Sequence, residues 1–267
     1  MERGFDEKRL RRIHRRFFIS PRRIKKENDE LIAELDKYSA HHIRSVLRLG
    51  EGAKISLFDD SGKEYLAEMV LSKPDKVRAK IFQINHPKTE SSLELILAQA
   101  ILKEQAFDSV LSSATELGVK RIIPLLTQRV VVRIVARELD KKLFRWEKII
   151  QESSALSGRV KVPKIDYPIE LNKLLEQNFA GGKVILWEKA PGGEFFSLER
   201  NSELIRKNGI ILLSGPEGGF EDQEAEQAIK AGFIPVGLGP RILRASTAPL
   251  TALALIQYRF GDLSQRL

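Results

Sequence analysis

The first third of the chain carries short apolar stretches separated by polar turns. Strand-like stretches cover residues 16–19, 54–58, 65–71 and 77–84, with turn-forming segments at 59–62 and 73–75. One helix is expected from Tyr38 onward. Its apolar positions, at helical spacing, are Ile43, Val46 and Leu47. The pattern predicts a small β-barrel with one evident helix.

Beyond residue 92 the pattern changes to strands alternating with helices. Strands are expected at 93–98, 121–126, 183–187, 209–213 and 235–238, and helices around 146–156 and at 222–230. Another helix, ended by Gly118, has an apolar face formed by Phe107, Val110, Leu111, Ala114 and Leu117. This alternation predicts an α/β domain with a mostly parallel sheet. The polar segment 86–92 precedes it, so we expect domains at 1–88 and 89–267.

The last predicted helix differs from the others because it has almost no polar face. Ser246 and Thr247 can cap it, Pro249 suits its first turn, and residues 250–256 are nearly all apolar. A helix that is apolar on all sides must be buried, either inside its domain or in a subunit interface.

Positive charge is concentrated at the N-terminus. The chain of 267 residues has a net charge of +9, and residues 1–26 contribute +8 of it, from eleven Lys or Arg against three acids. Such a segment suits a polyanion such as RNA, although a solvated tail has the same composition. Phe17 and Phe18 interrupt the basic run. We interpret them as core residues of a strand rather than as residues that stack on RNA bases.

The composition also excludes several kinds of site. Cysteine is absent, and all four histidines, His14, His41, His42 and His86, lie in the first third. Disulfides and thiolate metal sites are therefore excluded, and we expect no metal ion. No run of about 18 apolar residues could span a bilayer, and the N-terminus lacks the apolar core of a secretory signal. We expect a cytoplasmic protein with no membrane partner.

Residues 214–220, Ser-Gly-Pro-Glu-Gly-Gly-Phe, form a glycine-rich turn between an apolar strand and an acidic helix start. Such turns often bind phosphate, but the loop has neither G-x-G-x-x-G nor G-K-[ST]. Glu217 and the acids that follow it would repel an anion at the helix terminus. The segment is either an ordinary turn or a loop whose backbone approaches a neutral or cationic ligand.

A second loop, residues 237–247, also leaves a strand and leads into a helix. It is unusually long for a connection in an α/β domain. Two neighbouring strand ends that both carry glycine-rich loops predict a pocket at the carboxyl edge of the sheet. Arg241 and Arg244 would place positive charge beside that pocket.

These loops belong to an ordered set of motifs that spans nearly the whole chain. The C-terminal motifs are GPEGGF at 215–220, AGF at 231–233, LGPRILR at 238–244 and Ser-Thr at 246–247. Upstream are RRFF at 15–18, HHxxxVLRL at 41–49, ATELGV at 114–119, TxRxxxR at 127–133, RWEKI at 145–149 and SGR at 157–159. In this order they resemble the bacterial small-subunit (16S) ribosomal RNA uracil-N3 methyltransferases of the SPOUT superfamily.

The resemblance implies an activity and a fold. Similar proteins transfer a methyl group from S-adenosylmethionine to N3 of a uridine in ribosomal RNA, within the small ribosomal subunit or its RNA, and need no metal. They join a PUA-like RNA-binding barrel, here with the basic tail at 1–88, to an α/β SPOUT methyltransferase domain at 89–267. The C-terminal segment of that domain threads a deep trefoil knot, which composition alone could never predict, and the proteins are homodimers.

The resemblance also implies site residues, carried over onto the matching positions of this sequence. The methyl donor would lie in three loops, at Leu186, Trp187, Glu188, Leu213, Ser214, Gly215, Glu217, Gly218, Gly219, Leu238, Gly239, Ile242, Leu243, Arg244, Ser246, Thr247 and Ala248. Arg244 is our first candidate for stabilising charge on the uracil, Arg241 the second, and Glu116 a candidate base or substrate contact. RNA contacts are expected from Arg16, Arg22, Arg23, Arg44, Arg48 and Arg133.

Two positions depart from the family pattern. Where the family usually has Arg-Thr-Glu-Thr, this chain has Arg244-Ala245-Ser246-Thr247, so an acid is missing beside the pocket. Ala155 and Leu156 replace a common Glu-Gln pair. Two alternatives therefore stay open: a SPOUT enzyme acting on another RNA position such as a ribose 2′-oxygen, and a non-catalytic RNA-binding assembly factor.

Overall fold

A computed structural model describes residues 15–73, 76–131, 136–190 and 194–264, and the contacts within it divide the chain into two compact units. The described residues up to Glu90 and the segment Gln151–Val162 form the first unit. Ser91–Ile150 and the described residues from Pro163 onward form the second. No helix in the described part of the chain is long and apolar enough to cross a membrane.

The first unit is built on one six-stranded sheet in the order β1-β4-β5-β6-β3-β2. The strands are β1 Arg16–Phe18, β2 Ile24–Glu27, β3 Glu30–Glu34, β4 Lys54–Phe58, β5 Glu64–Lys73 and β6 Lys76–Asn85. β1 runs parallel to β4, and the other neighbours are antiparallel. Inward side chains such as Phe17, Ile55 and Met69 form its core. The strand at 54–58 is confirmed to the residue. The core position predicted for Phe17 is confirmed, whereas Phe18, also predicted as a core residue, is only partly buried.

The hairpin of β2 and β3 escaped the sequence analysis. Its turn residues, Asn28 and Asp29, have φ of 47° and 64°, the conformation that tight two-residue hairpin turns require. β2 has the sequence Ile-Lys-Lys-Glu and lies at an edge of the sheet, where β3 is its one partner among the described strands. An exposed, charged edge strand lacks the alternating apolar pattern on which strand prediction depends.

The predicted helix of the first unit begins as α1 Lys37–His41 and continues as a π-helical turn, His42–Val46. The Asp36 carboxylate caps α1 by accepting from the Ser39 backbone nitrogen at 2.7 Å. In the turn, the Leu47 backbone nitrogen donates to the His42 carbonyl five residues earlier. This wider winding changes the helix face: Ile43 is buried, whereas Val46 is 64% exposed. The predicted apolar stripe is therefore wrong at Val46.

The second unit contains a seven-stranded sheet in which the described pairs are parallel, as predicted. Its strands are β7 Leu95–Ala100, β8 Arg121–Leu126, β9 Lys164–Ile165, β10 Ile169–Glu170, β11 Gly182–Leu186, β12 Ile210–Ser214 and β13 Ile234–Val236. The order is β10-β8-β7-β12-β11-β13, and β9 pairs with β8. Fully buried and mostly apolar strands such as β7 and β12 lie in the middle, where both faces of a parallel sheet are covered.

The helices that follow β7 in the chain are α2 Glu104–Glu116, α3 Ala136–Ser157, α4 Leu171–Leu175, α5 Ser202–Asn208, α6 Asp222–Lys230 and α7 Ala248–Phe260, with a 3-10 segment at Glu194–Asn201. α6 has the predicted bounds and begins with a capping box between Glu221 and Glu224. α3 begins ten residues before the predicted start at residue 146, because its first turns are too polar to show an apolar face. Gly118, with φ of +79°, follows α2 as predicted.

Helix α7 is buried on one face only. Ala252, Leu253 and Ile256 are fully buried, whereas Leu255 is 42% and Tyr258 63% exposed. Complete burial within a single chain was therefore wrong, and burial in a subunit interface stays a prediction. A buried glutamine fixes the helix: Gln257 accepts from the Ser91 hydroxyl and donates to the Leu117 carbonyl, both at 2.9 Å.

The end of α3 and the residues after it group with the first unit, although the sequence analysis assigned everything after residue 88 to the second domain. Arg16 explains the difference, because its guanidinium donates to the carbonyl oxygens of Ser154 at 3.2 Å and Arg159 at 2.7 Å. The Glu90 carboxylate in turn accepts from the guanidinium of Arg159 and from the backbone nitrogen of Val160. These charged contacts are long-range in sequence and leave no local pattern.

Candidate functional site

The loops predicted to form a pocket follow three strands that lie side by side. β11 lies between β12 and β13 and pairs with both in parallel. The strands before the two glycine-rich loops were predicted to be neighbours, and this prediction is wrong because β11 separates them. Because all three strands are parallel, the loops after them still emerge at the same carboxyl edge of the sheet.

These loops enclose a cavity of about 650 Å³. It is lined by residues predicted as donor contacts: Leu186, Trp187, Glu188, Ser214, Gly215, Glu217, Gly218, Gly219, Leu238, Gly239, Ile242, Leu243 and Ala248. Leu213, Arg244, Ser246 and Thr247 were predicted as contacts and are not among the described lining residues. Lining residues that the sequence analysis did not assign as donor contacts are Ala190, Pro216, Phe220, Val236, Gly237, Pro240, Arg241 and Ala245. Most of these residues lie inside the same loops, so their closeness to a motif in the sequence could have predicted them.

The catalytic candidates lie in different surroundings. Arg241 is exposed and lines the cavity. Arg244 is exposed in the same loop, and its carbonyl oxygen accepts from the backbone nitrogens of Thr247 and Ala248, at the start of α7. Glu116 is exposed at the end of α2, where it accepts from the Ser112 hydroxyl at 3.4 Å, and it is not among the described lining residues. The geometry thus favours Arg241 over Arg244 and does not bring Glu116 to the cavity.

The first glycine-rich loop has a defined turn. The Gly219 backbone nitrogen donates to the Pro216 carbonyl at 2.9 Å, which closes a four-residue turn. Gly219 has φ of +69°, and a Cβ there would stand 3.2 Å from the Glu188 carboxylate. Glycine is therefore required twice at this position, by the backbone conformation and by the close approach of the neighbouring loop.

Side chains from β7 and from the segment after β8 support this turn. Gln99 is fully buried and its amide donates to the Gly215 carbonyl at 3.2 Å. Arg129 donates to the Gly218 carbonyl at 2.8 Å. Neither role was predicted from the sequence, although Arg129 lies within the TxRxxxR motif at 127–133.

The start of α6 is tied to the same segment through one buried carboxylate. Glu224 accepts from the backbone nitrogens of Gln128 and Glu221, both at 2.9 Å. Only 7% of Glu224 is exposed. Since buried carboxylates need such donors, one of the acids at the predicted acidic helix start has a structural role.

The lining combines apolar walls with a few charged groups. Leu186, Leu238 and Leu243 contribute aliphatic surface, and the acids are Glu188 and Glu217. The indole nitrogen of Trp187 is buried with no hydrogen-bond partner among the described residues. A buried donor of this kind is costly unless a ligand or water satisfies it. The cavity therefore suits a ligand that has apolar surface, a cationic part and a hydrogen-bond acceptor.

The predicted RNA contacts do not share one environment. Arg22, Arg23, Arg44 and Arg48 are exposed on the first unit. Arg16 is only 8% exposed and pairs with Glu64 at 2.8 Å, so its prediction as an RNA contact is wrong. A buried guanidinium that donates to a carboxylate and to backbone carbonyls is not placed to reach a phosphate in solvent. Arg133 lies outside the described residues.

In the described part of the chain, no group of three His, Asp or Glu side chains is arranged to hold a metal ion.

Sequence comparison matches an RNA methyltransferase domain at residues 89–257 and an RNA methyltransferase PUA domain at residues 35–82. The ribosomal RNA small subunit methyltransferase E of Bacillus subtilis is 32% identical over 82% of this chain and 87% of its own. That of Mesomycoplasma hyopneumoniae is 35% identical over 89% and 96%.

Solved structures are similar over nearly the whole chain. A Legionella pneumophila protein with bound S-adenosylmethionine has a TM-score of 0.84 at 31% identity, covering 93% of this chain and 99% of that one. The Neisseria gonorrhoeae ribosomal RNA small subunit methyltransferase E, bound to S-adenosylmethionine, has a TM-score of 0.80 at 30% identity, covering 93% and 98%. The chain therefore belongs to the RNA methyltransferase family that includes ribosomal RNA small subunit methyltransferase E.

Proposed function

We propose that this protein transfers the methyl group of S-adenosylmethionine to N3 of a uridine in small-subunit ribosomal RNA. The observation that carries the proposal is the cavity at the carboxyl edge of the sheet, enclosed by the loops that hold the family motifs. Relatives at about this level of identity are named for methylation of that RNA, and two similar structures contain the methyl donor.

The residues of the cavity fit S-adenosylmethionine. Its volume, about 650 Å³, lies within the usual range for small-molecule sites. Leu186, Leu238 and Leu243 offer apolar surface for the adenine, and the Trp187 indole nitrogen offers a donor. Glu188 and Glu217 would stabilise the donor's positive charges. When bound, the sulfonium supplies an activated methyl group, so no metal is needed.

The protein must then hold the uracil in line with that methyl group and stabilise the charge that develops. N3 of a neutral uracil carries a proton, which passes to solvent water as N3 bonds to the methyl carbon and the bond from that carbon to sulfur breaks. Loss of this proton spreads negative charge over O2 and O4. A guanidinium beside these oxygens stabilises the charge, and alignment of the reacting atoms lowers the entropic barrier. We assign the electrostatic role to Arg241, because it lines the cavity, and keep Arg244 as the alternative in the same loop.

We also propose the finer features that the resemblance implies. The C-terminal segment forms a deep trefoil knot, which is supported by β12 being inserted between β7 and β11 and by α7 packing on α2, α5 and β12. The chain forms a homodimer, in line with the exposed Leu255 and Tyr258 on α7. The first domain holds RNA while the second carries out the methyl transfer, in the cytoplasm.

Nucleoside mass spectrometry of ribosomal RNA from a deletion strain tests the reaction directly. We expect loss of 3-methyluridine from the small-subunit RNA, with recovery when the wild-type gene is restored. Loss of a ribose-methylated nucleoside instead would identify the ribose 2′-oxygen as the target. Calorimetric titration with S-adenosylmethionine separates an enzyme from an assembly factor, since a protein that only binds RNA shows no affinity for the donor.

A further inference from the structure

The first unit has a concave site of its own, separate from the cavity of the second unit and formed by residues around the turn before β2. This basic recess has a volume of about 320 Å³. It is lined by Arg22, Arg23, Lys25, Arg78, Glu27, Glu34 and Ile32. The lining residues come from the 3-10 turn Pro21–Arg23 and from β2, β3 and β6. Only Arg22 and Arg23 were expected to contact RNA from the sequence.

Two of the four cationic side chains of the recess are held by other groups of the protein, and the other two have no such partner among the described residues. Arg78 pairs with Glu27, and Arg23 donates to the Leu35 carbonyl at 3.4 Å. Arg22 and Lys25 are exposed and have no side-chain partner among the described residues. A cation without a protein partner is available to an anion at little cost in desolvation.

The acids of the recess do not cancel its charge. Four cations face two carboxylates. Arg78 neutralises Glu27, and Glu34 lies 3.6 Å from the ammonium group of Lys76, which is outside the recess lining. A net positive site therefore remains around Arg22 and Lys25. This charge balance favours an anion over a cation.

The chemistry of the lining also selects the kind of anion. The described residues that line the recess include no aromatic side chain, so they offer an unpaired base no stacking surface. Arginine forks match phosphate oxygens and bind them bidentately, whereas lysine contributes a point charge. The best match is a sugar-phosphate backbone, bound without regard to sequence.

We propose that the basic recess is a phosphate-binding subsite that anchors the RNA substrate through its backbone, with Arg22 and Lys25 as the contacting cations. The proposal rests on the proposed function, because it identifies the bound polyanion as the RNA that is methylated. The recess and the cavity share no lining residue, so the two sites can be varied independently.

The test is the salt dependence of RNA binding by the full chain. The variant R22Q/K25Q removes two cations, and the control K207Q/K230Q removes two exposed cations from α5 and α6. Binding to a fragment of small-subunit ribosomal RNA is measured by fluorescence anisotropy over a range of salt concentrations. For two lost phosphate contacts, the slope of log K against log salt should fall by about 1.4–1.8. The control should change it by less than half as much.

Further measurements keep the result interpretable. The conservative variant R22K/K25R retains both charges and should keep most of the salt slope. Affinity for S-adenosylmethionine without RNA should equal that of the wild type in all variants, which shows that the second unit is folded. The salt slope retained by R22K/K25R, together with urea unfolding of R22Q/K25Q, reports on the first unit. Equal slopes for R22Q/K25Q and its control would overturn the proposal. Binding of the same variants to anionic lipid vesicles is measured as well. If R22Q/K25Q lost binding to the vesicles but kept its RNA binding, the proposal would also be overturned. Absence of uridine-N3 methylation by the wild type would instead contradict the proposed function and leave the slope measurement standing.

Discussion

The guanidinium of Arg129 donates a hydrogen bond of 2.8 Å to the carbonyl oxygen of Gly218, a residue that lines the cavity. The side chain lies so close that a Cβ on Gly218 would stand 3.3 Å from the Arg129 Cδ atom. Arg129 also approaches Glu221, at 3.8 Å. One arginine thus links the segment after β8 to the glycine-rich turn and to the residue that caps α6.

Replacing Arg129 by Gln should weaken donor binding, because the turn loses an external constraint. A hydrogen bond of this kind contributes on the order of 1 kcal/mol, so we expect affinity for S-adenosylmethionine to fall about fivefold. Calorimetric titration measures the change. R145Q is the matched control, since it removes an exposed arginine that pairs with Asp108, and neither residue lines the cavity. An affinity loss shared by both variants would contradict a specific role for Arg129.

Substitutions of the two arginines in the second loop, Arg241 and Arg244, should differ in their effect on kcat. Arg241→Ala should lower kcat about a hundredfold or more with donor affinity nearly unchanged, because the guanidinium stabilises charge only as the reaction proceeds. Arg244→Ala should have a smaller effect, since Arg244 is not among the described lining residues. Single-turnover methylation of the small-subunit RNA provides the rates. The reverse order of effects would return the electrostatic role to Arg244.

Gly219 and Gly239 offer a matched pair for testing the shape of the cavity. Both have positive φ, +69° and +91°, but a Cβ meets the Glu188 carboxylate at Gly219 and nothing within 4 Å at Gly239. Each substitution by Ala should cost about 1–2 kcal/mol in backbone strain. Only Gly219→Ala should also displace Glu188 and reduce donor affinity beyond this shared cost. Thermal melting and calorimetry on both variants decide, and equal affinity losses would argue against the contact.

Arg16 should matter for stability. It is 8% exposed and pairs with Glu64, so Arg16→Ala would leave a buried carboxylate without its cation. Removing one partner of a buried pair costs about 3–5 kcal/mol. Urea unfolding should show this loss, and Arg22→Ala should show almost none because Arg22 is exposed. If Arg16→Ala unfolded like the wild type but lost RNA affinity, the original prediction of an RNA contact would be restored.

Alkaline pH should weaken the first unit through Tyr65. Burial, with a hydrogen bond to Asp59, raises the pKa of Tyr65 from 10.0 to about 12. The neutral phenol is therefore favoured by folding, and its stabilisation is complete below pH 10 and is lost as the pH rises towards 12. Unfolding measured across this range should be less pH-dependent for Tyr65→Phe than for the wild type. An unchanged dependence would mean that other groups control alkaline unfolding.

Much of the architecture follows from local sequence patterns. Apolar runs and caps predicted β4, β8 and α6 at their observed bounds, because helix and strand periodicity is a property of neighbouring residues. The ordered motifs also identified the loops that line the cavity, since glycine in a strand-to-helix turn reflects the backbone it must adopt.

Tertiary structure decided what depends on residues far apart in the chain. The place of β11 between β12 and β13, the burial of Arg16 against the end of α3, and the support that Gln99 and Arg129 give the glycine-rich turn have no local signature. The sequence alone does not show whether an arginine binds a phosphate, a carboxylate or a helix carbonyl. Its role is set by the partners that folding brings within hydrogen-bond distance, and these lie tens of residues away or more.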